Sequence, residues 1–147
     1  MKKLNINEIR ELLPQRSPFL FLDEIEVHQE AKKAVGYWTA KPSWPVFKGH
    51  FPDHPVVPGV ILIEVMAQAC LILGVELDPT TRDKPVFLAG VDHARFRRPV
   101  FPDDQVQVNV KFEKRRRHLW AFDGDVRVRG KLAGQAKLLA AVQEKWS

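Results

Sequence analysis

The chain has 147 residues, 45% of them hydrophobic and 28% charged, with a net charge of +5 at neutral pH. This composition predicts an ordinary globular protein of one domain, residues 1–147, rather than a disordered chain. Its single cysteine excludes an intramolecular disulfide and a multi-cysteine metal site. The charged amino end lacks the apolar core of a signal peptide, and no run approaches the roughly 20 apolar residues that span a bilayer. We therefore expect a cytoplasmic protein without a membrane span.

The amino-terminal part predicts one short helix and a hairpin. Residues 7–13 form an amphipathic pattern that Asn5 or Asn7 can cap and that the following proline ends. Residues 19–27 and 33–40 have the composition of two strands of a hairpin.

A long apolar helix follows a proline-rich loop. Five prolines between positions 41 and 58 favour a stiff, largely extended loop. The helix then begins at Gly59 and continues to about Gly74, and its only polar side chains before that point are Glu64 and Gln68. A helix that is apolar on all sides is a buried helix. A carboxylate buried in it is costly unless it is paired, hydrogen-bonded or protonated.

The second half of the chain is predominantly strand. Residues 106–112 alternate apolar and polar side chains, and residues 120–128 continue that period after a basic turn at 114–118. Residues 132–142 suit a helix by composition, but their place after two hairpin-linked strands favours a third antiparallel strand. The outline is an α+β fold in which an antiparallel sheet wraps around the apolar helix.

Four groups near that helix could form an acid–base site. The imidazole of His50 can accept a proton at neutral pH, and Glu64, whose charged form burial disfavours, suits a general acid. Gln68 lies one turn further on and can hydrogen-bond Glu64 to orient it. The backbone N–H of Gly59 suits a carbonyl oxygen that develops negative charge. This set favours proton abstraction next to a carbonyl with loss of water at the β carbon, or the reverse reaction.

The residues alone leave this site open to question. A lone histidine in a loop is more often structural than catalytic, and so is a lone glutamate in an apolar helix. In addition, 14 positions separate His50 from Glu64, and nothing in the sequence requires their side chains to meet.

The positive charge is concentrated in two places. The basic clusters are Arg95, Arg97 and Arg98, and Lys114, Arg115, Arg116 and Arg117. Such clusters indicate an acidic partner such as nucleic acid, a membrane surface or an acidic protein, whereas the alternative is a solvated hairpin tip. The aromatic interleaving of single-strand nucleic-acid binding is missing, so we expect no nucleic-acid partner.

Four ordered motifs resemble one family, the 3-hydroxyacyl-(acyl-carrier-protein) dehydratases of the FabZ type. Residues 49–69 read Gly-His-Phe-Pro-Asp-His-Pro-Val-Val-Pro-Gly-Val-Ile-Leu-Ile-Glu-Val-Met-Ala-Gln-Ala. The others are Leu-Pro-Gln-Arg-Ser-Pro-Phe-Leu at 13–20, Leu-Ala-Gly-Val-Asp-His-Ala-Arg-Phe-Arg-Arg-Pro-Val at 88–100, and Pro-Asp-Asp-Gln at 102–105. The resemblance covers nearly the whole chain.

The resemblance implies a hotdog fold, an antiparallel sheet wrapped around a central helix. It also implies a homodimer, in some members a trimer of dimers, whose sites take the histidine from one protomer and the acid from the other. By motif position His50 is the catalytic histidine, Glu64 the catalytic acid, Gly59 the donor to the thioester carbonyl and Gln68 the amide after the acid. We expect Gly59, Gln68 and Phe87 to contact the substrate.

The implied reaction converts a (3R)-3-hydroxyacyl thioester to the trans-2-enoyl thioester in fatty-acid biosynthesis, without a metal or organic cofactor. The acyl chain would occupy an apolar tunnel against the helix. The family binds its acidic carrier protein through basic side chains near the tunnel mouth, so at least one of the two basic clusters is expected to dock it.

Three departures from the family pattern bear on substrate choice. The usual His-Arg-Tyr-Pro is here Gln15-Arg16-Ser17-Pro18, Phe87 occupies a strand that commonly carries tyrosine as a gate, and Pro-Gly-Asp-Gln has become Pro-Asp-Asp-Gln. We expect none of them to touch the His50–Glu64 pair. The alternatives are a paralogous dehydratase or hydratase of a specialised lipid or polyketide pathway, and a hotdog acyl-thioesterase.

Overall fold

A computed structural model describes residues 1–146, and within this range the chain forms two α-helices and seven β-strands. The helices are α1 (Ile6–Leu12) and α2 (Gly59–Leu77). The strands are β1 (Lys2–Leu4), β2 (Glu24–His28), β3 (Lys33–Thr39), β4 (Val86–Phe96), β5 (Gln105–Arg116), β6 (Leu119–Val128) and β7 (Lys131–Val142). Short 3-10 turns occupy Pro45–Lys48 and Pro79–Thr81.

The strands form one antiparallel sheet in the order β1-β2-β3-β5-β6-β7-β4. The hairpins β2–β3, β5–β6 and β6–β7 confirm the alternating patterns read from the sequence, and residues 131–142 are a strand, as their position favoured. In β5 the valines 106, 108 and 110 are buried between partly exposed polar neighbours. This alternation gives the sheet one apolar face.

Helix α2 lies against that apolar face and confirms the predicted α+β architecture. It packs on β2, β3, β4, β5, β6 and β7. Its 19 residues and mean hydropathy of 2.1 give it the length and composition to cross a membrane. The expectation that no apolar run is long enough was therefore wrong. However, 67% of the 18-residue stretch of α2 that has this hydropathy is buried inside the protein. Burial of this extent is the environment of a core helix.

The boundaries differ from the predicted ones at three places. Residues 19–23 are not strand, because the backbone groups of Phe19 and Phe21 bond the side chain of Gln68 rather than a neighbouring strand. Helix α2 continues past Gly74 to Leu77, so Gly74 does not end the helix. It instead lies against Trp120, and an added Cβ would collide with the ring of that residue. Strand β5 runs through Arg116, so the basic residues 114–116 lie in a strand.

Helix α1 begins one residue earlier than predicted, and Asn5 rather than Asn7 caps it. The Asn5 side chain accepts from the Glu8 N–H at 2.9 Å, while the Glu8 carboxylate accepts from the Asn5 N–H at 3.1 Å. This reciprocal pair is a capping box, which satisfies two donors at the helix start.

Candidate active site

Glu64 is held by an amide one turn further along α2. Gln68 Nε2 donates to Glu64 Oε2 at 2.9 Å and also to the carbonyl of Phe19 at 2.8 Å, while Gln68 Oε1 accepts from the N–H of Phe21 at 3.1 Å. Gln68 is 1% exposed. Both the N–H and the carbonyl group of its amide are therefore hydrogen-bonded within the protein.

A second amide reaches the same carboxylate oxygen, which corrects the expectation that the altered motif at 15–18 does not touch the pair. Gln15 Nε2 donates to Glu64 Oε2 at 3.2 Å. The segment is fixed because the guanidinium of Arg16 donates to the carbonyls of Leu13, Gln15 and Arg10 at 2.7, 2.7 and 2.9 Å. Sequence reasoning missed Gln15 because it lies 49 positions from Glu64 and no periodicity links the two.

Glu64 borders a small cavity of about 50 Å³ that is lined mostly by apolar side chains. Its walls come from α2, β4 and β7, together with Gln15, and they include Phe87, the predicted substrate contact. The ring of Phe87 is 48% exposed and meets Trp146 edge-on at 5.6 Å. Cys70 also lines the cavity, and burial raises the pKa of its thiol well above the usual value, so it stays neutral and packs as a small apolar group.

His50 is fixed in the loop before α2. Its N–H donates to the carbonyl of Val46 at 3.1 Å, and its own carbonyl accepts from the Val56 N–H at 3.0 Å. Its ring Nδ1 lies 2.8 Å from the Val56 carbonyl, and its ring stacks on Phe51 with centroids 4.0 Å apart. Because a carbonyl oxygen can only accept, Nδ1 carries the hydrogen, and Nε2 keeps a lone pair able to take a proton.

Gly59 begins α2 without a side-chain cap, as Pro58 precedes it. The ring of Phe96 lies over it, and an added Cβ would come within 3.1 Å of that ring. The first amides of a helix lack intrahelical partners and lie at the positive end of the helix dipole. The N–H of Gly59 therefore has no partner within the helix and lies beside the ring of Phe96.

The structure places Glu64, Gln15 and Phe87 around one cavity, and Gln68 bonds Glu64 without forming part of the cavity wall. Among residues 1–146, His50 and Glu64 share no hydrogen bond, and His50 is not part of the wall of the Glu64 cavity. The described part of one chain thus does not bring His50 and Glu64 into one cavity.

The two basic clusters lie near opposite ends of α2. Arg95, Arg97 and Arg98 are exposed around Phe96, which covers the first residue of the helix. The second cluster is near the last turn, where Arg115 pairs with Asp78 at 2.5 Å and lies over the ring of Trp120 at 5.7 Å. Nineteen residues of α-helix, roughly 28 Å, separate the ends.

The fold and this site define a hotdog-fold protein with a carboxylic acid on the central helix and a histidine in the loop before it. Residues 13–137 match the FabA-like domain. A 3-hydroxyacyl-(acyl-carrier-protein) dehydratase FabZ from Geotalea uraniireducens is 42% identical over 143 residues, covering 97% of this chain and 99% of that protein. This chain belongs to the FabZ family of FabA-like proteins, as the sequence motifs predicted.

Solved structures with the same fold are more distant in sequence. The dehydratase heterocomplex ApeI:P from Xenorhabdus doucetiae contains a chain with a TM-score of 0.78 and 17% identity, covering 93% of this chain and 91% of that one. A hypothetical thioesterase with coenzyme A from Streptococcus pneumoniae gives a TM-score of 0.62 at 13% identity, covering 84% and 88%. At these identities the likeness concerns the fold alone.

Proposed function

We propose that this protein, acting as one domain in the cytoplasm, dehydrates (3R)-3-hydroxyacyl thioesters of acyl carrier protein to trans-2-enoyl thioesters in fatty-acid biosynthesis. It is thus a hydro-lyase. The observation that carries the proposal is a carboxyl group held by two amides beside a cavity with mostly apolar side chains, in a chain of the FabZ family.

Each proposed residue has one task in the reaction. His50 Nε2 takes the C2 proton, the C2–C3 double bond forms as the C3–O bond breaks, and Glu64 gives its proton to the departing hydroxyl, which leaves as water. The Gly59 N–H stabilises the thioester oxygen while it carries negative charge. Phe87, which is in the cavity wall and 48% exposed, contacts the acyl chain.

The proposed site is shared by two chains, because neither a hydrogen bond nor a common cavity joins His50 to Glu64 among the described residues of one chain. Strand β4 forms one edge of the sheet and leaves large apolar side chains exposed: Phe87 48%, Leu88 43%, Val91 38% and Phe96 50%. An unpaired, apolar edge strand is a template for pairing with another chain. We assign β4 as the surface on which a second copy docks, so that His50 of one protomer serves Glu64 of the other.

The shared site can be tested by complementation. His50→Ala and Glu64→Gln should each lower kcat by about 10²- to 10⁴-fold, the usual contribution of general acid–base catalysis. Mixing the two inactive variants should restore part of the activity, since a mixed dimer contains one intact site. Near-normal dehydration by either variant would refute the residue assignment, and a mixture as inactive as its components would refute sharing.

The reaction type is tested with a 3-hydroxyacyl carrier-protein thioester and the matching coenzyme A thioester. The proposal expects enoyl product without release of free thiol, and a higher kcat/KM for the carrier-protein thioester. Free thiol without enoyl product would identify a thioesterase instead. A preference for coenzyme A would indicate a hydratase of another pathway.

The cluster of Arg95, Arg97 and Arg98 is proposed as the carrier-protein surface. It lies at the end of α2 where Gly59 is, and Glu64 is only about 7.5 Å further along the helix axis. Arg97→Glu should raise KM for the carrier-protein substrate and weaken its salt dependence, because rim charges act mainly on association. Arg116→Glu, at the distant cluster, is the matched control, and an equal effect of both would contradict the assignment.

A further inference from the structure

The side-chain amide of Gln15 has a hydrogen-bond partner for its nitrogen but not for its oxygen. Its Nε2 donates to Glu64 Oε2, but its Oε1 is buried and has no hydrogen-bond partner among residues 1–146. A buried acceptor without a partner destabilises a fold, and such groups are few in native proteins. Gln15 therefore contributes something other than stability at this position.

The two amides converge on one oxygen of Glu64. Oε2 accepts from Gln68 at 2.9 Å and from Gln15 at 3.2 Å, whereas Oε1 accepts no hydrogen bond within the described part of the chain. A carboxyl oxygen has two lone-pair sites, and on Oε2 both are occupied by N–H donors. A proton on this carboxyl group is thus directed to Oε1.

We propose that Gln15 is a positioning residue which, together with Gln68, keeps Oε2 of Glu64 unprotonated and leaves Oε1 to carry and donate the proton. This rests on the proposed function, in which Glu64 gives a proton to the C3 hydroxyl. As the Oε1–H bond breaks and water leaves, negative charge develops on the carboxylate. Two N–H donors already aimed at Oε2 stabilise that charge without rearrangement.

Gln68 cannot do this alone. With Gln15 removed, one lone pair of Oε2 is free, and the proton can occupy either oxygen. The developing carboxylate also loses one of its two donors, and hydrogen bonds to charged groups are the stronger ones. Gln68 meanwhile stays fixed by Phe19 and Phe21.

Neighbouring charges do not take over this task. Apart from Glu64, the titratable group in the cavity wall from α2 is Cys70, whose pKa burial raises, and the walls from β4 and β7 contribute apolar side chains. On the loop after α1, the guanidinium of Arg16 donates hydrogen bonds to three backbone carbonyls and none to Glu64. The hydrogen bonds from the two amides are what distinguish the two oxygens.

The kinetic test compares Gln15→Met, Gln15→Asn and Gln15→His with wild type. Methionine keeps the volume without a donor, and asparagine keeps the amide but shortens its reach. For both we expect kcat to fall about tenfold, the effect of one hydrogen bond to a charged group, with KM within about twofold.

Two further readouts separate positioning from a structural role. Gln15→Met should unfold at the same temperature as wild type or higher, since it removes the unpaired Oε1, and Gln15→His, which can again donate an N–H, should recover much of kcat. Gln143→Met, at an exposed glutamine, is the control and should leave kcat unchanged. An unchanged kcat in the Met and Asn variants, no recovery of kcat in Gln15→His, or a loss of kcat matched by a loss of melting temperature would overturn the proposal.

An infrared measurement tests the same inference without turnover. The carbonyl stretch of protonated Glu64, assigned by its loss in Glu64→Gln, should shift to higher frequency in Gln15→Met, because the C=O at Oε2 accepts one hydrogen bond fewer. A band that does not move would refute the role of Gln15 whether or not the protein is a dehydratase. Absence of dehydration by wild type would instead refute the proposed function.

Discussion

The Gln68 amide links the acid to the segment before β2, and replacing it should weaken both. Gln68→Met keeps a similar volume but leaves the Phe21 N–H, which is buried, without an acceptor, and the Phe19 carbonyl without its donor. An unsatisfied buried polar group costs about 1–3 kcal/mol. The Phe21 N–H should bear the full cost and the Phe19 carbonyl less, since Phe19 is partly exposed. We therefore expect the free energy of unfolding to fall by about 2–3 kcal/mol.

Urea unfolding at one fixed protein concentration measures this change, because the stability of an oligomer depends on concentration. With a slope of about 2 kcal/mol per M, the midpoint should fall by about 1 M. Gln143→Met, at a surface glutamine, should leave it within error. If Gln68→Met unfolds within about 0.5 kcal/mol of wild type, the energetic role given to these hydrogen bonds is wrong.

Three further predictions follow from contacts and burial. Gly74→Ala should lower the free energy of unfolding because its Cβ would collide with the Trp120 ring, although alanine is the better helix former by about 1 kcal/mol. In a Trp120→Phe background the same substitution should cost less stability. A Gly74→Ala variant more stable than wild type would contradict this. Burial is the main reason that the pKa of Asp23 is raised above 3.8, against the opposing hydrogen bond from the Thr39 N–H. The folded state thus binds the proton more tightly than the unfolded state, and the ionised carboxylate destabilises the fold at neutral pH. Asp23→Asn should therefore be more stable than wild type at pH 7, with the advantage fading as pH falls toward 3.8; a difference independent of pH would contradict the assignment. Cys70 is 2% exposed, so thiol reagents at pH 8 should label it only at the rate of unfolding, and rapid labelling of folded protein would show that the helix face is open.

Patterns local in sequence predicted most of the architecture. The alternation in β5 and β6 and the apolar helix α2 were predictable because one buried face imposes a period on the chain. Strand β1, with three residues, is too short to show a period. Residues 19–23 have strand composition, but a side chain from α2 takes their backbone groups, and a pattern within one segment cannot reveal that.

The candidate site was predictable in type but not in all its parts. Glu64 and Gln68 are one helical turn apart, so their hydrogen bond follows from spacing alone. The bond from Gln15 depends on how Arg16 holds the loop after α1 against α2, which is a tertiary arrangement. The sequence could not decide whether His50 and Glu64 meet. Within residues 1–146 of one chain no hydrogen bond joins them, and His50 is not in the wall of the cavity beside Glu64.

The place of β4 in the sheet has a consequence for biosynthesis of the chain. Within the chain β4 pairs with β7, whose residues 131–142 are synthesised last among the strands. Until β7 has left the ribosome, β4 is an apolar strand with both edges unpaired, and such strands associate with other chains. The segment that forms one wall of the acid's cavity is thus the last to acquire its place, so the acid site is completed only when nearly the whole chain is available.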